Sequence, residues 1–298
     1  MRSVWSFWTK PYLEREGVWA TPVEHWLSWI LSLETAKRHL SDTALYADSY
    51  GAELLVDRLG LEFGTVSTAL DGLDGEDSGW WALGKLHTYA LQREPFVHID
   101  SDVFLWKPLP EALVGAAVFA QHPEDVEYYY NPQSLEDTIG TSSDPWLPEE
   151  WKWFRARDEK QFAPCCGIVG GNSVSFLRSY ARSAIRIIEE RANRAALRSY
   201  DKSGNMFLIE QYFLGACLAY HGESIQYLFE SWNEATNPFH SARLGYTHLI
   251  AGAKRDEWIA RRMEFRVQKD YPALFERACT LAASLSPATA QLFCHRTR

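Results

Sequence analysis

The feature that most constrains this chain is a four-residue apolar run closed by two carboxylates. Pro95 stops a helical stretch, Phe96-Val97-His98-Ile99 follows, and Asp100-Ser101-Asp102 comes directly after. An apolar run this short, bounded by a proline and by charge, has the character of a central parallel strand buried on both faces. Side chains alternate along an extended chain, so Asp100 and Asp102 project to one side and Ser101 to the other. The carboxyl end of such a strand is where open α/β sheets bind ligands. Two carboxylates there repel each other unless a cation, a shared proton or a basic partner lies between them. Three uses remain open. The pair can hold Mg²⁺ or Mn²⁺ through oxygen ligands, it can act as an acid–base pair in divergent environments, or it can be a solvated turn.

The flanking sequence predicts the sheet this strand needs. Ser3–Trp8 reads as a first strand, and a helix runs from Pro22 to about Arg38 on Trp26, Ile30 and Leu33. Thr43–Ala47 reads as a second strand, followed by Asp48 or Ser49 as the cap of the next helix. A short strand in Leu61–Val66, a Gly/Asp loop at Asp71–Gly79 and the helix ahead of Pro95 complete an alternation of strand and helix. That pattern predicts an α/β domain, its sheet mainly parallel and covered on both faces. No GxGxxG or GxxxxGK[ST] follows the first strand, so the dinucleotide and P-loop fingerprints are absent.

Further along, residues 122–162 break the alternation with Tyr128-Tyr129-Tyr130, several prolines and a Trp-rich stretch. This irregular insertion is expected to be either a binding loop or lid, or a surface excursion pinned by its aromatics. Cys166–Asn172 reads as a strand entering a Gly-rich turn, Phe176–Glu190 as an amphipathic helix, and Asn205–Tyr220 as a helix with Glu210-Gln211 in its middle. The expected division is one α/β domain over residues 1–255 and a helical segment over 256–298 packed on it.

A length of 298 residues with 46% hydrophobic content suffices for a substantial core. The formal charge of -9 supplies no electrostatic reason for nucleic acid as a partner. Five cysteines (Cys165, Cys166, Cys217, Cys279 and Cys294) lack finger spacing and are expected as reduced thiols. The apolar start is interrupted by Lys10 and Pro11, and no run approaches a membrane span, so a cytoplasmic protein without a transmembrane segment is expected. His248, near the end of the sheet-forming region, is a candidate third ligand, since His with two Asp makes a mixed N/O site. Gly252 and Lys254, close behind it, can bring backbone and an ammonium to phosphate oxygens.

The block Lys85-Leu86 … Phe96–Val103 … Lys107-Pro108 resembles that of glycogenin-like, GT-A-fold glycosyltransferases (family 8). Cys166-Gly167-Ile168-Val169 resembles the segment lining the donor sugar in that family, with Cys165 in place of its Asn. Glu210-Gln211 resembles its Asp-Gln pair, and His248, Gly252 and Lys254 resemble its H-x-x-G-x-x-K element with one residue fewer. The resemblance implies a GT-A (Rossmann-like) fold and transfer of a sugar from a nucleoside-diphosphate sugar, with UDP the expected nucleotide and retention the expected outcome. It implies Mn²⁺ or Mg²⁺ held by Asp100, Asp102 and His248. It places Trp8, Thr9, Lys10, Asp48, Lys85, Ser101, Cys166, Gly167, Gly252 and Lys254 around the nucleotide sugar, and Glu210 and Gln211 at the reacting sugar. The acceptor is left open among glycan, lipid-linked sugar, peptide and small molecule. The alternative is a protein of the same fold that binds nucleotide sugar without turnover; phosphoester hydrolysis is disfavoured for want of ligands to a second metal.

Overall fold

The computed structural model describes residues 1–14 and 18–285, so Cys294 and the end of the expected helical tail lie outside the described residues. Among the described residues, eleven strands follow in chain order: β1 (Arg2–Phe7), β2 (Thr43–Ala47), β3 (Thr65–Ser67), β4 (Phe96–Ile99), β5 (Val103–Leu105), β6 (Val118–Ala120), β7 (Pro123–Asp125), β8 (Phe162–Pro164), β9 (Ile168–Gly171), β10 (Ile225–Tyr227) and β11 (Tyr246–His248). Seven form one sheet in the order β10-β6-β9-β4-β1-β2-β3. Only β9 runs antiparallel to its neighbours β4 and β6; the other pairs are parallel. The expected α/β class with a mixed, mainly parallel sheet is therefore what forms.

Burial alternates through the sheet because helices cover both faces. Val4 and Phe96 enter one core, with Leu86, Tyr89, Leu177 and Tyr180. Trp5, Val97 and Ile99 enter the other, with Trp26, Ile30, Met263 and Leu281. The first core lies under the helices Leu83–Leu91 and Val174–Glu189. The second lies under Pro22–Ala36, against which Glu257–Asp270 and Pro272–Leu285 pack. Pro22–Ala36 starts where it does because Thr21 and Glu24 close a reciprocal capping box, an arrangement whose cap alone contributes about 1 kcal/mol. No helix among the described residues is long and apolar enough to cross a membrane.

Residues 122–162 differ from the irregular insertion expected. They hold β7, the start of β8 and helices Val126–Tyr129, Pro132–Gly140 and Glu149–Arg155. Leu135, Ile139, Trp151 and Phe154 are buried in the first core, and the Trp151 ring sits 4.9 Å from that of Tyr212. Trp151 and Phe154 are therefore core residues. A stretch rich in Trp and Phe has enough apolar surface to fold into the body of the domain. The helix expected over Asn205–Tyr220 is likewise interrupted: a π-helical turn, Leu208–Tyr212, separates Lys202–Phe207 from Phe213–His221.

Candidate metal centre at the carboxyl edge of the sheet

From β1 the chain moves to β2 and β3 on one side, then returns to place β4 on the other. The reversal of strand order between β1 and β4 opens a crevice at their carboxyl ends. Asp100 leaves β4 at that edge, its amide bonded to the Gly167 carbonyl at 3.0 Å. A tight turn, Val103 N–H to Asp100 carbonyl at 3.0 Å, carries Ser101 and directs the chain into β5. There β11 pairs antiparallel with Val103 opposite His248, and Leu249 N–H donates to the Asp102 carbonyl at 3.0 Å. This two-stranded ribbon brings a histidine 146 positions downstream onto the aspartates.

Asp100, Asp102 and His248 each offer one donor atom, all within 4.8 Å of one another, so the group can hold a metal ion. The tautomer of His248 suits that role. Its Nδ1 lies 2.7 Å from Gln121 Oε1, which also accepts from the Tyr246 hydroxyl at 2.8 Å. An amide oxygen only accepts, so Nδ1 carries the proton. In the neutral ring Nε2 then presents a lone pair 3.4 Å from Asp102 Oδ1. Two lone-pair groups face each other there, an arrangement that a cation or a second proton satisfies. Gly167 makes the approach possible: a Cβ on it would stand 2.4 Å from Gln121 Oε1 and 2.5 Å from His248 Nδ1.

Two lysines balance the carboxylates. Lys254 Nζ is 2.6 Å from Asp102 Oδ2. Lys85 Nζ is 2.9 Å from Asp100, 2.6 Å from Glu210 Oε1 and 3.2 Å from the Cys166 carbonyl. Burial opposes ionisation of Asp102, but the Lys254 ammonium beside it outweighs that and holds the carboxyl well below the usual range. Asp100 is pushed the other way, by loss of solvent first, against the pull of Lys85. Burial likewise pushes Glu210 up, with Lys85 opposing, and Lys85 itself stays charged far above neutral pH because Asp100 and Glu210 overcome its desolvation. Two neighbouring carboxyls on one strand end thus have opposite tendencies.

Glu210 is wholly buried, and the π-helical turn places it: Tyr180 donates to its backbone carbonyl, Tyr89 donates to Oε1 at 3.4 Å, and Oε2 has no hydrogen-bond partner. Such turns recur at functional positions because they shift one side chain out of the helical register. The Tyr130 hydroxyl lies against both Gln211 Oε1 and Glu124 Oε2, with one proton to share between them.

Around the crevice the remaining sequence-derived residues separate into two sets. Cys166 and Gly167 join the cluster through their carbonyls. Asp48 takes its helix-cap reading: Oδ1 accepts from Gly51, and Oδ2 from the amide and hydroxyl of Thr9 at 2.6 and 2.8 Å. Trp8 is a core residue, Lys10 donates to the Asp74 and Glu76 carbonyls, and Gly252 is exposed in the 3-10 turn Ala251–Arg255. Three neighbours went unread in the sequence. His98, two residues before Asp100 and hence on its side of β4, has Nδ1 3.6 Å from Asp100 Oδ1 and Nε2 2.9 Å from Ser6 Oγ. Strand alternation was the signal for it. His25 stacks on Tyr12 at 4.3 Å and is pushed down to about 3 by burial, with Lys254 adding to the effect. Gln121, which fixes the His248 tautomer, carried no signal beyond its place after a strand.

Residues 1–281 match a family of unknown function, DUF6734, and the chain belongs to it. No curated protein matches the chain.

Proposed function

We propose that this protein is a metal-dependent glycosyltransferase of GT-A fold that transfers a sugar from a nucleoside-diphosphate sugar. The observation that carries the reading is the convergence of Asp100, Asp102 and His248 at a topological switch point, flanked by Lys85, Lys254 and the buried Glu210. The strand reversal between β1 and β4, and the single antiparallel strand β9, are compatible with the GT-A assignment. A hard divalent cation, Mn²⁺ or Mg²⁺, fits a donor set of two carboxylates and an imidazole nitrogen. When bound, it would neutralise charge on the leaving diphosphate.

This chain's own residues do the rest. Asp102, kept ionised by Lys254, is a permanent anionic ligand, and Gln121 keeps Nε2 of His248 free to bind. Lys254 sits within reach of the oxygens that a diphosphate would present beside Asp102. Lys85, charged and fixed between Asp100 and Glu210, orients both carboxylates and can contact the donor sugar. Glu210 can stabilise positive character at the anomeric carbon.

A second reading, a nucleotide-sugar-binding protein without turnover, draws on the enclosure of Glu210, whose Oε1 is occupied by Lys85 and whose side chain is fully buried. The test is slow hydrolysis of sugar nucleotides in the presence of Mn²⁺. Hydrolysis abolished by Asp102→Ala supports the transferase; binding with no hydrolysis of any donor supports the second reading; binding indifferent to metal removes the metal-dependent transferase, and no binding of any donor removes both.

A further inference from the structure

We propose that His122, Glu124 and Cys165 form a second metal site, built for Zn²⁺ and separate from the aspartate centre. On an extended strand residues two apart share a face, so His122 and Glu124 project together where the chain enters β7. The partner strand β8 is antiparallel with Pro123 opposite Pro164, and Cys165 N–H donates to the His122 carbonyl at 2.8 Å. Cys165 therefore stands across from His122 and completes the set. One donor atom from each of the three lies within 4.8 Å of the others.

The independent observation is His122 itself. It is 0% exposed, and neither ring nitrogen has a hydrogen-bond partner. Its Nε2 is 3.8 Å from Glu124 Oε1, too far for a hydrogen bond. A buried imidazole with both nitrogens orphaned is costly, and such groups are normally met by protein, water or a metal. A cation between Nε2, the carboxylate and the thiol would satisfy Nε2 in a way that no side chain here does. The donor types select the ion: sulfur, imidazole nitrogen and one carboxylate suit Zn²⁺, whereas oxygen-rich sets suit Mg²⁺ and Mn²⁺. Bound thiolate and carboxylate together would match the charge of a divalent ion, the thiol giving up its proton. Three protein ligands leave a fourth position, as in zinc sites that accept water or another small ligand.

Gln121 links the two centres. Its Oε1 holds His248 Nδ1 and lies 3.7 Å from Cys165 Sγ. The zinc site does not depend on the glycosyltransferase reading, because metal content is read without any donor or acceptor.

Co²⁺ replacement tests it on the full-length protein, since only one of the two centres has sulfur. The expected result is a near-ultraviolet thiolate-to-Co²⁺ charge-transfer band with one equivalent bound. The band is retained in Asp102→Asn and lost in Cys165→Ser and in His122→Asn. Zn²⁺ should raise the thermal midpoint of Asp102→Asn but not of the double variant Asp102→Asn/Cys165→Ser, in which the aspartate centre is disabled as well. Circular dichroism of the metal-free variants establishes that each is folded, and Cys165→Ser, the near-isosteric change, decides if His122→Asn is not. The absence of a charge-transfer band in wild type, or its persistence in folded Cys165→Ser, overturns the site and leaves His122 as a buried histidine met by water.

Discussion

His248 Nε2 faces Asp102 Oδ1 across 3.4 Å while its opposite nitrogen is committed to Gln121. The ring is thereby presented as a ligand before any ion arrives, and Gly167 is the residue that allows it. A methyl at position 167 would collide with side-chain ends of Gln121 and His248, not with backbone. Gly167→Ala should therefore fold yet misalign His248. Misplacing a residue that orients a ligand costs roughly 10–100-fold in metal affinity, which Mn²⁺ titration calorimetry would register. Affinity equal to wild type in the folded variant would remove His248 from the centre.

Lys254 presses on Asp102 at 2.6 Å, in competition with a cation for the same carboxylate. Lys254→Met should strengthen binding of Mn²⁺ alone, because the competing ammonium is gone. The same variant should weaken binding of a nucleoside diphosphate in the presence of Mn²⁺, because a phosphate contact is gone. Opposite signs in the two titrations are the signature of the proposed role, and a parallel loss of both would show Lys254 to be merely structural.

Lys85 bridges Asp100 and the fully buried Glu210, so its removal leaves two carboxylates without their counter-charge. Breaking a buried pair from one side costs about 3–5 kcal/mol. Lys85→Met should lose that much in urea unfolding at neutral pH, and part of it should return in Lys85→Met/Glu210→Leu, where the orphaned charge is also removed. Full stability in the single variant would mean that the pair carries no net charge interaction.

Much of the architecture was legible because local pattern and tertiary role agree. Phe96–Ile99 reads as a buried central strand from four residues, and its two aspartates and the distant His248 do converge. Residues 122–162 read as irregular because aromatic content alone does not distinguish a surface segment from core; the decision lies in partners such as Tyr212 and Phe213, which are remote in sequence. The direction of β9 was equally hidden. Gly170-Gly171 read as a turn after the strand but lie within β9, where a Cβ on Gly170 would stand 2.0 Å from the Phe96 carbonyl oxygen; that closeness does not give strand direction. Gln121 and the π-helical turn at Glu210 depend on contacts that no short-range periodicity encodes.

His25 makes stability depend on pH. Its ordinary value is 6.5 and burial, aided by Lys254, lowers it to about 3 in the folded protein. The unfolded chain therefore binds this proton first as pH falls. The stability that His25 contributes is fully present above about pH 6.5 and drains away as pH falls toward 3. Between neutrality and about pH 4 the loss from this one group is on the order of 3 kcal/mol. Urea midpoints measured across that range should fall in wild type and fall less steeply in His25→Phe; identical slopes would show that His25 titrates normally.

The central claim is that a divalent cation held by Asp100, Asp102 and His248 anchors a nucleoside diphosphate. Thermal unfolding with a panel of nucleoside diphosphates and sugar nucleotides, each with Mn²⁺ and with chelator, tests it most directly. A ligand present at about a hundredfold excess over its Kd should raise the midpoint by roughly 4 °C. The account predicts that rise for at least one nucleotide with Mn²⁺, its loss on chelation, and its absence in folded Asp102→Ala. A nucleotide-induced rise that persists with chelator or in Asp102→Ala, or no rise with any member of the panel, would contradict it.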